Sequence, residues 1–137
     1  MIQYKFTEPT ADEWNTLISF TNWSKHPETV FEQAAKNSLF FVTAYYDNKI
    51  VGMLQVVGDG VLSFYIQYVI VHSDYRSRGI AREMMNKALN KIQKQADPDA
   101  VIALFSSSQN QGLYEKLGFI PRPNDKQGPA MIFKGRY

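Results

Sequence analysis

From residue 79 to about residue 96 the apolar side chains Ile80, Met84, Met85, Ala88, Leu89, Ile92 and Ala96 recur at helical spacing, with Arg, Lys, Asn and Gln between them. No other stretch of the chain constrains its fold as strongly. β-rich runs flank it, at 61–72 before and 100–105 after. A strand, an amphipathic helix and a second strand in this order predict a β-α-β unit with parallel strands and a right-handed crossover. The helix needs a sheet to cover its apolar stripe, so the fold class is α/β (α+β).

The rest of the chain adds antiparallel elements. Residues 2–6 alternate like a short strand. Thr10 followed by Glu13 is a capping box, opening a helix through Trp14, Leu17, Ile18 and Phe20. Pro27 suits the first turn of a second helix, with Val30, Phe31, Ala34 and Ala35 as its buried stripe. The runs 39–46 and 49–57 are joined by Asp47-Asn48, a pair that tolerates positive φ and predicts a two-residue hairpin. With 61–72 they form a meander. After 100–105 come a short helix at 111–117, closed by Gly118, and closing strands near Ile120 and at Met131 to Phe133.

The length of 137 residues, 45% of them hydrophobic and 20% charged, fits one domain spanning 1–137. There is no cysteine, which excludes disulfides, thiolate nucleophiles and Cys-ligated zinc and makes a reducing cytoplasm the default compartment. The N-terminus lacks the pattern of a signal peptide. The uncharged stretch 60–73 is broken by Ser63, Gln67 and His72 and is too short to span a bilayer, so no membrane partner is expected. The net charge of +2 is unevenly spread: residues 1–74 hold 4 Lys and Arg against 8 Asp and Glu, and residues 75–137 hold 11 against 5. A basic half suits a polyanion and an acidic half a cation.

The turn Arg76-Ser77-Arg78-Gly79-Ile80-Ala81 stands between the strand and the long helix, where the first helical N–H groups lack partners and carry the positive end of the dipole. Gly79 allows close backbone approach, Ser77 adds a hydroxyl, and Arg76 and Arg78 add two fixed charges. That set matches a pyrophosphate. The plain alternative is a glycine that merely starts a helix between solvated arginines.

The words Tyr65-Ile66-Gln67-Tyr68-Val69-Ile70-Val71, Arg76-Ser77-Arg78-Gly79-Ile80-Ala81 and Leu113-Tyr114-Glu115-Lys116-Leu117-Gly118-Phe119, in this order of elements, resemble the GNAT superfamily of acetyl-CoA-dependent N-acetyltransferases. The resemblance covers nearly the whole chain. It implies a mixed, mostly antiparallel central sheet of about six or seven strands with about four helices, and a parallel strand pair splayed apart at the cofactor site. It further implies that acetyl-CoA lies with its pyrophosphate on 76–81 and its pantetheine arm along Val69, Ile70 and Val71, where a backbone amide also polarises the thioester carbonyl. No metal is implied.

Tyr114 matches the residue that in this family protonates the departing thiolate. A phenol of pKa near 10 can protonate a thiolate whose conjugate acid lies near 8.5. The acceptor is expected to be a primary amine, a small-molecule amine first and a peptide amine second, entering from the side of Trp23, His26 and Tyr68. Such an amine must lose a proton before it attacks, and many relatives carry an acidic residue where this chain has Tyr68. His26, Glu28, Asp59 and His72 are the bases that chemistry leaves open. Ser77 stands where glycine is common and is tolerated if its backbone angles are ordinary. Ser107, seven residues before Tyr114, replaces a cofactor-contacting asparagine of many members.

A non-catalytic acyl-CoA sensor on the same fold is the nearest rival. Nucleic-acid binding would rest on Arg82, Lys87, Lys91 and Lys94 along one helix, but these occupy the polar positions any solvated helix needs and no recognition motif accompanies them, so no nucleic acid is expected as a partner. Edge strands and the C-terminal segment are compatible with a monomer or a homodimer.

Overall fold

Thr10 opens the first helix as its spacing from Glu13 predicts. Its hydroxyl accepts from the Glu13 amide at 3.1 Å while the Glu13 carboxylate accepts from the Thr10 amide at 2.9 Å. The structure, a computed structural model, describes residues 1–134. Its elements are β1 (Gln3–Lys5), α1 (Ala11–Ile18), α2 (Glu28–Lys36), β2 (Phe40–Tyr46), β3 (Lys49–Gly58), β4 (Ser63–Val71), a 3₁₀ turn (Ser73–Tyr75), α3 (Ile80–Gln95), β5 (Val101–Leu104) and α4 (Gln111–Lys116). They fall into two compact units, Met1–Phe105 and Ser106–Tyr137.

The first unit holds a five-stranded sheet of order β1-β2-β3-β4-β5. Neighbours from β1 to β4 are antiparallel, and β4 pairs with β5 in parallel across the crossover helix α3. Asp47 and Asn48 have φ of 49° and 62°, the left-handed pair that a two-residue turn between β2 and β3 requires. Side chains alternate across β3. Gly52 faces α3, where a Cβ would meet Met84 Cε at 3.1 Å and Ile80 Cγ2 at 3.3 Å, while Met53 faces α1 and α2 in a cluster with Trp14, Leu17, Ile18 and Phe31. Helices therefore cover both faces of the sheet. In α2 the buried stripe is narrower than its pattern predicts: Phe31 is buried and Ala34 and Ala35 partly so, but Val30 is 45% exposed.

Polar groups inside this unit are tied together. Gln67 Nε2 donates to Gln55 Oε1 at 2.8 Å, Gln55 Nε2 donates to Ser38 Oγ at 2.7 Å, and Ser38 Oγ donates to the Ala34 carbonyl at 2.7 Å. This relay satisfies the buried Gln55 amide and joins β4 to the end of α2.

In the second unit α4 ends as the Leu-Gly-Phe word predicts. Gly118 takes a left-handed φ of 102°, its N–H bonds the Glu115 carbonyl, and the Phe119 N–H reaches back to the Tyr114 carbonyl, both at 3.0 Å. That pair of bonds is a Schellman cap, and the Phe119 ring lies edge-on to Tyr114, 6.1 Å between centroids, as its apolar contact. The closing strands expected near Ile120 and at Met131 to Phe133 are not formed, so the sheet has five strands rather than six or seven. Pro121, Pro123 and Pro129 remove N–H donors a ladder would need, and Asn124 closes a loop, its side-chain oxygen accepting from Lys126 and Gln127.

Candidate active site

The parallel ladder runs from Ser63↔Val101 only to Ile66↔Leu104, while β4 continues to Val71. Gln67 to Val71 thus present an edge that β5 does not occupy. His72 donates its N–H to the Val51 carbonyl of β3 at 2.8 Å, so by alternation the amides of Val69 and Val71 face the opening and that of Ile70 faces β3. The splayed strand pair that the family resemblance implies is present in this form.

One residue of β3, Leu54, stands opposite two of β4, Tyr68 and Val69, which makes a bulge. Tyr68 has a φ of 52°, a left-handed conformation unusual for an aromatic side chain. The phenol is half-buried against Trp14, with centroids 5.2 Å apart, and against Trp23 at 5.5 Å. Burial pushes its pKa up from 10.0.

The turn before α3 carries two left-handed residues, Ser77 at φ 63° and Gly79 at φ 81°, with Arg78 between them. Ser77 does not have the ordinary backbone angles that would make it an easy replacement for glycine. The first backbone bond inside α3 runs from the Glu83 N–H to the Gly79 carbonyl at 3.0 Å, and no side chain caps the helix. Among the described residues the N–H groups of Ile80, Ala81 and Arg82 have no acceptor. A Cβ built on Gly79 meets nothing within 4 Å, so the space beside Gly79 is open. This is a concave set of N–H groups at a helix N-terminus, suited to a phosphate anion.

The two arginines differ. Arg76 donates through Nε to the Val71 carbonyl at 3.2 Å and through Nη2 to the Phe20 carbonyl at 3.0 Å. It binds the end of β4 to the end of α1, and part of its donor set is already used. Arg78 lies over the Tyr75 ring at 5.0 Å and makes no hydrogen bond among the described residues, so its charge is available.

The structure narrows the list of bases. The Asp59 carboxylate accepts the N–H groups of Val61, Leu62 and Ser63, which hold its pKa below the usual range and commit it to the turn before β4. His72 Nδ1 accepts the Asp74 N–H at 3.1 Å, so in the neutral ring Nε2 carries the proton and is a donor. The backbone of His26 is clamped by Asn15, which donates to its carbonyl at 2.9 Å and accepts from its N–H at 3.2 Å, and its ring meets Phe31 at 5.5 Å. Among the described residues the side chains of His26 and Glu28 make no hydrogen bond. Ser107 Oγ accepts from Asn110 Nδ2 at 3.0 Å and shapes the turn into α4. Tyr114, on α4, is buried, and burial raises its pKa above 10.0. Arg76 binding its own scaffold and Tyr68 at a bulge are features sequence reasoning missed.

No helix among the described residues is long and apolar enough to cross a membrane. The acetyltransferase (GNAT) domain family matches residues 8–130. Among relatives, an uncharacterized N-acetyltransferase ycf52 of Pyropia yezoensis is 26% identical over 85% of this chain and 68% of its own length. A GCN5-related N-acetyltransferase 1, chloroplastic, of Arabidopsis thaliana is 25% identical over 91% of this chain and 64% of its own. Of solved structures, a GNAT family acetyltransferase of Streptococcus pneumoniae superposes with a TM-score of 0.83 at 26% identity, covering 100% of both chains. A Staphylococcus aureus protein of unknown function gives a TM-score of 0.86 at 25% identity, covering 97% of this chain and 100% of that one. With the family match running through β4, the 76–81 turn and α4, the chain belongs to the GNAT family of acetyltransferases.

Proposed function

We propose that this acetyltransferase takes its acetyl group from acetyl-CoA and passes it to a primary amine of a small molecule by direct attack within a ternary complex, in the cytoplasm. The observation that carries this reading is the open turn at Ser77 and Gly79 beside the uncovered half of β4. The free N–H groups of Ile80, Ala81 and Arg82, with Arg78, hold a pyrophosphate. Val69 and Val71 offer backbone groups to the amide-bearing arm that follows it. Bound there, acetyl-CoA supplies an activated acyl thioester.

The remaining steps belong to the chain. An amide of β4 facing the opening donates to the thioester carbonyl and stabilises charge that develops on its oxygen. Tyr114 donates its phenolic proton to the departing sulfur; a phenol holds that proton at neutral pH, and burial raises its pKa further. One domain spanning both units, as a monomer or homodimer, is the assembly this reading takes.

The test is Tyr114→Phe in an assay of coenzyme A release. Turnover should fall about 10²-fold or more, the usual range for loss of a general acid, with acetyl-CoA affinity within about twofold of the original. Unchanged turnover removes Tyr114 from the reaction. If the original protein binds acetyl-CoA but acetylates no amine in a broad panel, the chain is an acyl-CoA sensor instead.

A further inference from the structure

The bulge in β4 turns an aromatic ring toward α1. Tyr68 has the left-handed φ of 52° and stands between two indoles, at 87° to Trp14 and 84° to Trp23. Trp14 is buried and stacks on Phe31 at 4.4 Å, closing the back. Trp23 is 49% exposed and its backbone is anchored: its backbone N–H donates to Thr21 Oγ1 at 3.0 Å, and that hydroxyl donates to the Ile18 carbonyl at 2.7 Å. Trp23 and Tyr68 therefore meet at a right angle and form a two-walled aromatic corner that opens to solvent. The next residue, Val69, faces the opening along β4.

Among the described residues no base is hydrogen-bonded into the corner. Among the described residues no carboxylate or imidazole is hydrogen-bonded to the Tyr68 hydroxyl, and His26 lies against Phe31 instead. The phenol, whose pKa is raised by burial, does not take a proton at neutral pH. An alkylamine with a pKa near 10.4 arrives as an ammonium. Aromatic faces would hold that cation, but in its unreactive form. Two perpendicular rings reward a flat apolar body, which stacks on one and meets the edge of the other.

We infer that the Trp23–Tyr68 corner is the acceptor subsite, and that it selects an amine carried on a flat aromatic ring whose nitrogen is weakly basic enough to arrive neutral. This rests on the acetyl-CoA reading above. In the reaction the neutral nitrogen forms the bond to the acetyl carbon, the carbon–sulfur bond breaks and Tyr114 protonates the sulfur; the new amide loses its extra proton to water, and solvent returns one to the Tyr114 phenolate.

The experiment compares an aniline with cyclohexylamine, its saturated counterpart, at pH 7 by coenzyme A release, and titrates both amines against tryptophan emission. The aniline should show kcat/KM at least tenfold above cyclohexylamine. Trp23→Ala should raise the aniline KM about tenfold with kcat little changed, the size expected for one lost aromatic contact, and Trp23→Phe should restore most of it. Tyr68→Glu should reverse the preference, because a carboxylate attracts the ammonium and acts as general base, accepting its proton as the nitrogen attacks. Cyclohexylamine turned over as well as the aniline, or an aniline KM untouched by Trp23→Ala, overturns the inference and leaves acetyl transfer standing. If neither amine is acetylated but the aniline quenches emission saturably in the original protein and not in Trp23→Ala, the subsite stands and the transfer reading falls. Neither acetylation nor quenching overturns the subsite.

Discussion

Arg76 donates its Nε proton to the carbonyl of Val71 at 3.2 Å, so the residue that opens the phosphate turn also fastens the strand leading into it. The same guanidinium reaches Phe20 through Nη2 at 3.0 Å. A lysine cannot make both bonds, because it lacks the planar fork. Arg78, over the Tyr75 ring, fastens nothing.

This difference separates two substitutions. Arg76→Ala should destabilise the fold by about 1–2 kcal/mol, the scale for losing charge-assisted hydrogen bonds at an exposed position, and weaken acetyl-CoA binding as well. Arg78→Ala should leave stability within about 0.5 kcal/mol and weaken acetyl-CoA about tenfold, with a smaller loss at high salt. Urea unfolding and calorimetric titration read the two quantities apart. Equal effects of both substitutions on stability would show that Arg76 is no strut.

Ser77 is held at φ 63° with its side chain exposed, and nothing hydrogen-bonds its hydroxyl among the described residues. A non-glycine residue in this region costs about 1–2 kcal/mol, while glycine returns about 0.5–1 kcal/mol of that through its freer unfolded chain. Ser77→Gly should therefore stabilise the protein by about 0.5–1 kcal/mol, with the phosphate turn intact and acetyl-CoA affinity unchanged or higher. A urea midpoint that falls on this substitution contradicts the strain.

What the sequence could show was local. Thr10 and Glu13 cap their helix, Asp47-Asn48 makes its hairpin, and Gly118 closes α4, because each depends on residues within one turn of the chain. The splay of β4 from β5 was legible only through the family resemblance. The bond from Arg76 to Phe20 joins positions 56 residues apart, and no spacing rule reaches that far. Nor does sequence mark the bulge: Tyr68 has a side chain that favours strands, and its positive φ follows from two residues of β4 facing one of β3. The missing closing strands are the reverse case, since Pro121, Pro123 and Pro129 were visible and their lost donors outweigh the apolar pattern around them.

Tyr45 gives a prediction in alkali. Its hydroxyl donates to Glu13 Oε1 at 3.2 Å, the carboxylate that also caps α1. Burial first, and then the charge and hydrogen bond of Glu13, push its pKa from 10.0 up to about 12. Between those values the unfolded chain has released a phenolic proton that the folded chain still holds, so stability falls as pH rises through this window and levels off above it. Below pH 10 the contribution is complete. Tyr4, Tyr65, Tyr68 and Tyr114 are shifted the same way, so the decline is shared. Tyr45→Phe should remove about one proton from the slope of unfolding free energy against pH between 10 and 12, and little at pH 7 beyond the loss of one partly exposed hydrogen bond. Urea midpoints from pH 9 to 12 measure it, and an unchanged slope would show that neither burial nor Glu13 holds the Tyr45 proton in the folded protein.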